Sequence, residues 1–244
     1  MSQVATLLLD FLERLRATAT LDEAWQVYMG EIRKYGATHA GYGVTTGATD
    51  FPDGAIRYYD YREDFLRRYD EAGHFVNDSS VAHCVLGRKE PLISTDPRFL
   101  PSLTPAQLQV AHESFDFGIR HFVTFTLGEG AALGGVNIAF TDSSTREFHE
   151  ALGQHGDLLR LISVLFHHVI TTGSHLASEM NLTPREKECL RWVAVGLESK
   201  EIAHRLGIST RTVDHHIGNA IVKMRAHSRT HAVARALVLH VIEL

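Results

Sequence analysis

Along the first 170 residues, apolar positions change from helical spacing to alternation and back again. The opening run MSQVATLLLDFLERLRA reads as an amphipathic helix. Thr20-Leu21-Asp22-Glu23 forms a capping box, in which the hydroxyl takes a free amide at a helix start and the glutamate reaches back. Leu21, Trp25, Tyr28 and Ile32 then keep helical register, and Gly36 is placed to end that helix. Residues 38–45 and 55–60 read as strands, and 62–73 and 104–116 as helices. Residues 121–127 and 133–140 alternate around Gly128-Glu129-Gly130, the pattern of a β-hairpin. Phe148, Leu152, His155, Leu159, Ile162, Phe166 and Val169 follow a 4-3-4-3 spacing, which predicts one long helix over 144–170. Helices on both faces of a mainly antiparallel sheet make an α-β-α sandwich.

The last 65 or so residues have a different texture, with four short helical segments in quick succession. Thr183-Pro184-Arg185-Glu186 is a second capping box, with proline at the first helical position, where its missing N–H costs nothing. Cys189, Leu190, Val193 and Ala194 form its apolar face and Gly196 closes it. A helix from Ser199 to Leu206, the turn Gly207-Ile208-Ser209, and a helix from Thr210 to Arg225 have helix-turn-helix spacing. On a wheel, Val213, Ile217, Ala220, Ile221 and Met224 share the core face. Arg211, His215, Gly218, Asn219 and Val222 point outward, with Thr212 and Lys223 at one edge and Asp214 and Arg225 at the other. Such a face suits the major groove, with Lys200, Lys223 and Arg225 near phosphates. A solvated polar face on an ordinary helical bundle would show the same pattern.

The expected fold class is therefore α+β: a sandwich domain over 1–172, a linker over 173–181, and an all-α domain over 182–244. The small polar stretch Thr171 to His175, followed by Ser178-Glu179-Met180-Asn181, marks the linker. Charge separates the same halves. The chain carries a net −5, yet residues from 176 onward hold 10 Lys+Arg against 7 Asp+Glu, while the preceding 175 hold 14 against 22. A basic end suits phosphate and an acidic front avoids it. Two distant cysteines, Cys84 and Cys189, fit a reducing cytoplasm rather than a disulfide framework. No run of about 18 apolar residues suggests a membrane span, and the start lacks the marks of a secretory signal.

An enzyme finds little support. The 16 histidines form no HExxH motif and no Cys-x-x-Cys accompanies them, so neither metal nor cofactor is expected. His83 and Cys84 adjoin only in sequence, and no glycine loop cradles phosphate. No catalytic residue is assigned.

The string LTPREKECLRWVAVGLESKEIAHRLGISTRTVDHHIGNAIVKM resembles the DNA-binding domain of the LuxR family of bacterial transcription regulators. The resemblance covers residues 180–242 and includes the TPRE start, Leu190, Gly196, Glu201-Ile202-Ala203, Thr212-Val213, His216 and Lys223. It implies binding to double-stranded promoter DNA through Lys200, Arg211, Thr212, Asp214, His215, Gly218, Asn219 and Lys223. It also implies a homodimer, aided by a fourth helix near 229–241 with Val233, Leu237 and Val241 in register, and RNA polymerase as a further partner. Some relatives carry arginine where this chain has Asp214 and Gly218, so their target sequence does not transfer.

The front domain does not read as a phosphorylated receiver, since it opens with two helices and builds an antiparallel hairpin. Instead YREDFLRRYDEAGHFVNDSSVAHC, residues 61–84, resembles the autoinducer-binding domain of quorum-sensing LuxR regulators, over roughly residues 20–170. These bind N-acyl homoserine lactones. Tyr61, Tyr69, Asp78 and Gly118 stand at the family's spacing, which implies aromatic rings along the ligand and Asp78 accepting its amide N–H. The expected ligand set is Tyr61, Phe65, Tyr69, Asp78, Ser80, Ser94 and Asn137. Val136, Ile138 and Phe140 should face the long helix, leaving Gly135, Asn137 and Ala139 on the other face with Gly41 and Gly43 opposite.

Phe65 stands where the family has a tryptophan donating to the lactone carbonyl, Ser94 replaces a second tryptophan, and Ser79 replaces a proline. Taken by residue pattern alone, Tyr61, Phe65 and Tyr69 also suit core packing, Asp78 also suits a helix cap, and Asn137 also suits an exposed sheet face. The alternative function is a regulator answering a non-lactone ligand, or none, with the front domain acting in dimerisation.

Overall fold

A computed structural model describes residues 3–45, 55–129, 132–173 and 175–244. Met1 and Ser2 of the opening run, Gly130 of the expected hairpin turn and Ser174 of the polar stretch lie outside the described residues.

Helix α1 (Gln3–Arg16) buries Phe11 and Leu15, and helix α2 (Leu21–Ile32) buries Trp25, Tyr28 and Met29. Thr20 Oγ1 accepts the Glu23 N–H at 3.2 Å, as the capping box requires. A turn of 3-10 helix, Arg33–Tyr35, tightens the end of α2 before Gly36 closes it in the left-handed region at φ +89°.

Among the described residues five antiparallel strands follow: β1 (His39–Thr45), β2 (Ile56–Tyr59), β3 (Leu92–Ile93), β4 (Phe122–Leu127) and β5 (Leu133–Ala139). Their spatial order is β2-β1-β5-β4-β3. β4 and β5 are the expected hairpin pair, with Thr124 opposite Asn137. β3 has only two residues, too short for alternation to reveal it.

One sheet face packs on α2 and on α6 (Thr145–Thr172), the long helix that the 4-3-4-3 spacing predicts. Tyr42 meets Phe166 edge-on at 5.2 Å and Phe140 meets Phe148 at 5.2 Å. Tyr28 Oη pairs with Ser163 Oγ at 2.9 Å, and Tyr42 Oη with His167 Nδ1 at 2.8 Å, so the buried hydroxyls are satisfied. The other face lies under α3 (Glu63–Glu71), α4 (Ser79–Val85) and α5 (Pro105–Asp116). Thr104 and Gln107 form a capping box at the start of α5. The sandwich is thus complete on both sides.

Packing divides the chain into two compact units. One holds residues up to Ala17 with Ala24–His168, and the other Thr18–Glu23 with Val169–Leu244. Within the stretch read as polar linker lies a short helix, α7 (His175–Glu179), whose His175, Leu176 and Ala177 are buried. Composition hides it because histidine and alanine carry no strong apolar signal.

Beyond α7 come α8 (Pro184–Ala194), α9 (Ser199–Leu206), α10 (Thr210–Lys223) and α11 (Arg229–Val238). Cys189, Ile202, Ala203, Val213 and Ile217 form a core shared by α8, α9 and α10. Gly207 sits at φ +65° between α9 and α10, a backbone state that a side chain would strain. α10 stops at Lys223, two residues short of the expected Arg225, which adopts φ +49°. The Ala226 N–H then returns to the Ile221 carbonyl at 2.9 Å and seals the helix end. α11 likewise ends at Val238 rather than near 241, with His240 at φ +53°.

Candidate functional site

The stripe Tyr61, Phe65 and Tyr69 comes from the segment entering α3 and from its inner face. Phe65 and Tyr69 are buried with Phe99, Val110, Ile119 and Phe122, so the core-packing reading holds. The same residues line a cavity of about 120 Å³ between this helical layer and the sheet. Both readings are therefore satisfied at once: these rings are the wall between core and cavity. Tyr61 meets Phe65 edge-on at 5.5 Å between centroids, Phe65 meets Tyr69 at a tilt at 5.7 Å, and Phe117 meets Phe65 edge-on at 5.4 Å.

Asp78, also on the wall, is the N-cap of α4. Its Oδ1 accepts the Ser80 N–H at 2.7 Å and the Val81 N–H at 3.4 Å. Its Oδ2 accepts the Tyr69 hydroxyl at 2.9 Å. The helix-cap reading is thus real, but it uses mainly one oxygen and leaves capacity on the other. Burial pushes the carboxyl up, and the donors from Tyr69, Ser80 and Val81 offset this only in part, so it stays above the ordinary aspartate value. Burial likewise raises the phenols of Tyr59, Tyr61 and Tyr69, keeping them protonated donors.

The sheet supplies the floor. Tyr59, Gly41, Asn137, Thr124 and Leu92 form one row across all five strands. Gly43 pairs with Gly135, as the alternation anticipates. A Cβ on Gly41 would come within 3.0 Å of the Tyr59 ring, so glycine there lets Tyr59 lie across the strand. Asn137 is not an exposed sheet residue: Tyr61 Oη donates to its Oδ1 at 2.8 Å, and its Nδ2 donates to Ser80 Oγ and Thr124 Oγ1, both at 3.1 Å.

Six of the seven expected ligand residues, Tyr61, Phe65, Tyr69, Asp78, Ser80 and Asn137, line this cavity. Ser94 stands elsewhere. Its hydroxyl accepts the Phe122 N–H at 2.9 Å at the edge of the sheet, and it is not in the lining. Tyr59, Thr124, Cys84, Ser114 and Ile119 line the cavity without having been anticipated. Thr124 was within reach, because the hairpin register sets it opposite Asn137. Burial pushes the Cys84 thiol up to about 12. Among the described residues no group of three or more His, Cys, Asp or Glu is placed to hold a metal ion.

The second candidate surface is the outer face of α10. Arg211, Asp214, His215, Gly218 and Val222 are exposed, Thr212 and Asn219 half-buried, and Val213, Ile217, Ala220 and Met224 buried. Lys200 is exposed on α9. Several of the expected contacts have partners within this unit: Thr212 with Ser209, His215 with Asn219, and Asp214 and Lys223 with groups on other segments. Asp214 Oδ1 accepts from Ser199 Oγ at 2.7 Å and from Arg229 Nη2 at 2.6 Å. Lys223 turns its ammonium inward, donating to both Glu186 oxygens at 3.0 and 2.8 Å and to the Asn181 carbonyl at 3.1 Å. Its three protons are spent fastening α10 to the start of α8, a role no helical wheel reveals.

Both parts of the chain are similar to known families. The family described as "Autoinducer binding domain" matches residues 20–170, and "Bacterial regulatory proteins, luxR family" matches residues 180–236. The transcriptional activator protein AnoR of Acinetobacter nosocomialis is 25% identical over 235 residues, spanning 94% of this chain and 96% of that protein. The quorum sensing-dependent transcriptional regulator VjbR of Brucella ovis is 26% identical over 177 residues, spanning 72% of this chain and 64% of its own length. Among solved structures, SdiA in complex with octanoyl-rac-glycerol shares the fold, with a TM-score of 0.56, 21% identity, and coverage of 100% and 99% of the two chains.

Proposed function

The chain belongs to the bacterial LuxR family of autoinducer-binding, DNA-binding transcription regulators, and we propose that its signal is an N-acyl homoserine lactone. The observation that carries this reading is Asp78, a carboxylate in an apolar cavity with acceptor capacity left on Oδ2. An uncompensated buried carboxylate is costly, and an amide N–H from a ligand offsets that cost. Tyr61, Phe65 and Tyr69 would flank the ligand, with Ser80 and Asn137 beneath it.

The sensor is assigned to residues 1–172 and the DNA-binding module to 182–244, acting as a homodimer on promoter DNA in the cytoplasm, with RNA polymerase as a further partner. Among the described residues no helix is long and apolar enough to cross a membrane. Arg211, Thr212, His215, Gly218 and Asn219 would face the major groove and Lys200 a phosphate. Asp214 and Lys223 are buttresses in this reading, since both are engaged within the module.

The test is the melting temperature of the full chain with a panel of acyl-homoserine lactones of different tails. A rise of several degrees with at least one lactone is expected, because a ligand that binds only the folded form stabilises it by mass action. No shift with any lactone, from protein that is soluble and binds DNA unaided, would overturn the lactone.

One observation favours the second reading, a non-lactone ligand. Phe65 offers no donor where the resemblance implies one, and Ser94, the nearest substitute by sequence, is not in the cavity lining.

A further inference from the structure

The polar floor of the cavity has a direction. Tyr61 gives its proton to Asn137 Oδ1, and Asn137 gives both Nδ2 protons away, one to Ser80 and one to Thr124. Thr124 Oγ1 in turn donates to Ser80 Oγ at 2.9 Å, and Asp78 receives the Tyr69 hydroxyl and the Ser80 N–H. The protons of Tyr61, Asn137, Thr124 and Tyr69 are committed within this network. What Asn137 and Asp78 still offer a ligand is acceptor capacity: the second lone pair of Asn137 Oδ1 and the open position on Asp78 Oδ2. Ser80 bonds both residues, so these acceptors lie one side chain apart.

We propose that this pocket selects a signal bearing a second hydrogen-bond donor close to its amide, a hydroxylated acyl chain, and that Asn137 determines the choice. The inference rests on the lactone reading above. With the amide N–H on Asp78, a hydroxyl two carbons from the amide carbonyl donates to Asn137 Oδ1. A keto oxygen at the same carbon places lone pair against lone pair. An unsubstituted methylene covers the Oδ1 lone pair without a donor, and an unsatisfied buried acceptor costs free energy. Asn137 is part of the cavity lining, which puts its amide within reach of a bound molecule.

The experiment titrates the full chain with three acyl-homoserine lactones of one chain length, carrying 3-hydroxyl, 3-keto and unsubstituted tails, and reads Kd from thermal protection. The expected result is about tenfold tighter binding of the hydroxyl form than of either other, a preference that shrinks to about twofold or less in Asn137→Ala. Should Asn137→Ala fail to fold, Thr124→Val serves, since it releases an Nδ2 proton and should raise the affinity for the keto form relative to the hydroxyl. Equal binding of the three tails, or a keto preference, overturns the inference and leaves the lactone standing. If none of the three binds, lactone and inference fall together.

Discussion

Arg229, in the first turn of α11, holds Asp214 on the outer face of α10 at 2.6 Å, while Ser199 at the start of α9 binds the same carboxylate oxygen at 2.7 Å. Arg229 also donates to Ser199 Oγ at 2.7 Å, so three helices meet at one acid. An acid pointing at DNA repels phosphate, and here its charge is answered from within the module. Both partners lower the Asp214 carboxyl below its ordinary value, Ser199 foremost. Asp214→Ala should release Arg229 and remove a negative charge, strengthening non-specific DNA binding. It should steepen the dependence of log K on log salt by about one, the amount expected for one further phosphate contact. An unchanged slope in filter-binding assays across a salt series would show that Arg229 does not reach the backbone.

Lys223 should matter for folding more than for DNA. Burial of Glu186 alone would raise its carboxyl, but the Lys223 hydrogen bonds and those of Thr183 outweigh burial and hold it low. Lys223→Met strands that acid and should cost about 1–3 kcal/mol at neutral pH, measured by urea denaturation. A carboxyl lowered by folding contributes stability that is present above its unfolded value, near 4, and lost as pH falls through its lower folded value. The gap between wild type and variant should therefore close on acidification. A loss of DNA affinity with no loss of stability would return Lys223 to the phosphate role.

Much of this arrangement is legible in the amino-acid order because it is local. Capping boxes at Thr20, Thr183 and their partners, the 4-3-4-3 run of α6 and the alternation of β5 each depend on residues a few positions apart. What escapes is set by distant neighbours. Lys223 and Glu186 lie 37 positions apart, and nothing in α10 itself turns that ammonium inward. The hydroxyl oxygen of Ser94 accepts the N–H of Phe122, 28 positions away, which only the pairing of β3 with β4 decides. Asp78 shows why the two readings of one residue need not compete: the cap takes one oxygen and the cavity wall presents the other.

Ligand affinity should depend on pH through Asp78. The carboxyl lies above its ordinary value because burial outweighs its donors. A ligand N–H favours the charged form, so binding releases a proton whenever the free protein is protonated there. Affinity should be level at high pH and fall as pH drops through that raised value, while Asp78→Asn should bind weakly at every pH. In the unliganded protein a raised carboxyl contributes stability present below its unfolded value and lost as pH rises through the folded one. A pH-independent Kd would remove Asp78 from the ligand contacts.

In the cavity wall, Cys84 and Gly135 are mutually fitted. A Cβ on Gly135 would collide with Cys84 Sγ and lie 2.9 Å from Cys84 Cβ. Gly135→Ala should therefore destabilise by about 1–3 kcal/mol, the usual cost of overpacking. Cys84→Ala in the same chain should recover part of it, since the sulfur leaves but the Cβ contact stays. With its thiol pushed up to about 12, Cys84 should also resist alkylation by iodoacetamide in the native protein near neutral pH. Rapid stoichiometric labelling of Cys84 before unfolding would contradict that environment.

Phe65→Trp separates the two ligand readings. Phe65 packs at 5.5 Å from Tyr61, 5.7 Å from Tyr69 and 5.4 Å from Phe117, so the larger indole must displace neighbours and should lower the stability of the unliganded protein. It also brings an N–H to a wall that has none at this position. If the head group is a lactone, that donor meets the ring carbonyl, and lactone binding should tighten by roughly 1 kcal/mol, about fivefold, despite the strain. Subtracting the shift of the empty variant from that of the loaded one in thermal melts isolates the gain. If the natural head group has no carbonyl at this place, the indole brings only bulk, and every lactone should bind the variant no better than the parent. Tighter binding therefore supports a lactone in a pocket that holds it by other donors, and weaker binding points to a signal for which Phe65 is the fitted residue.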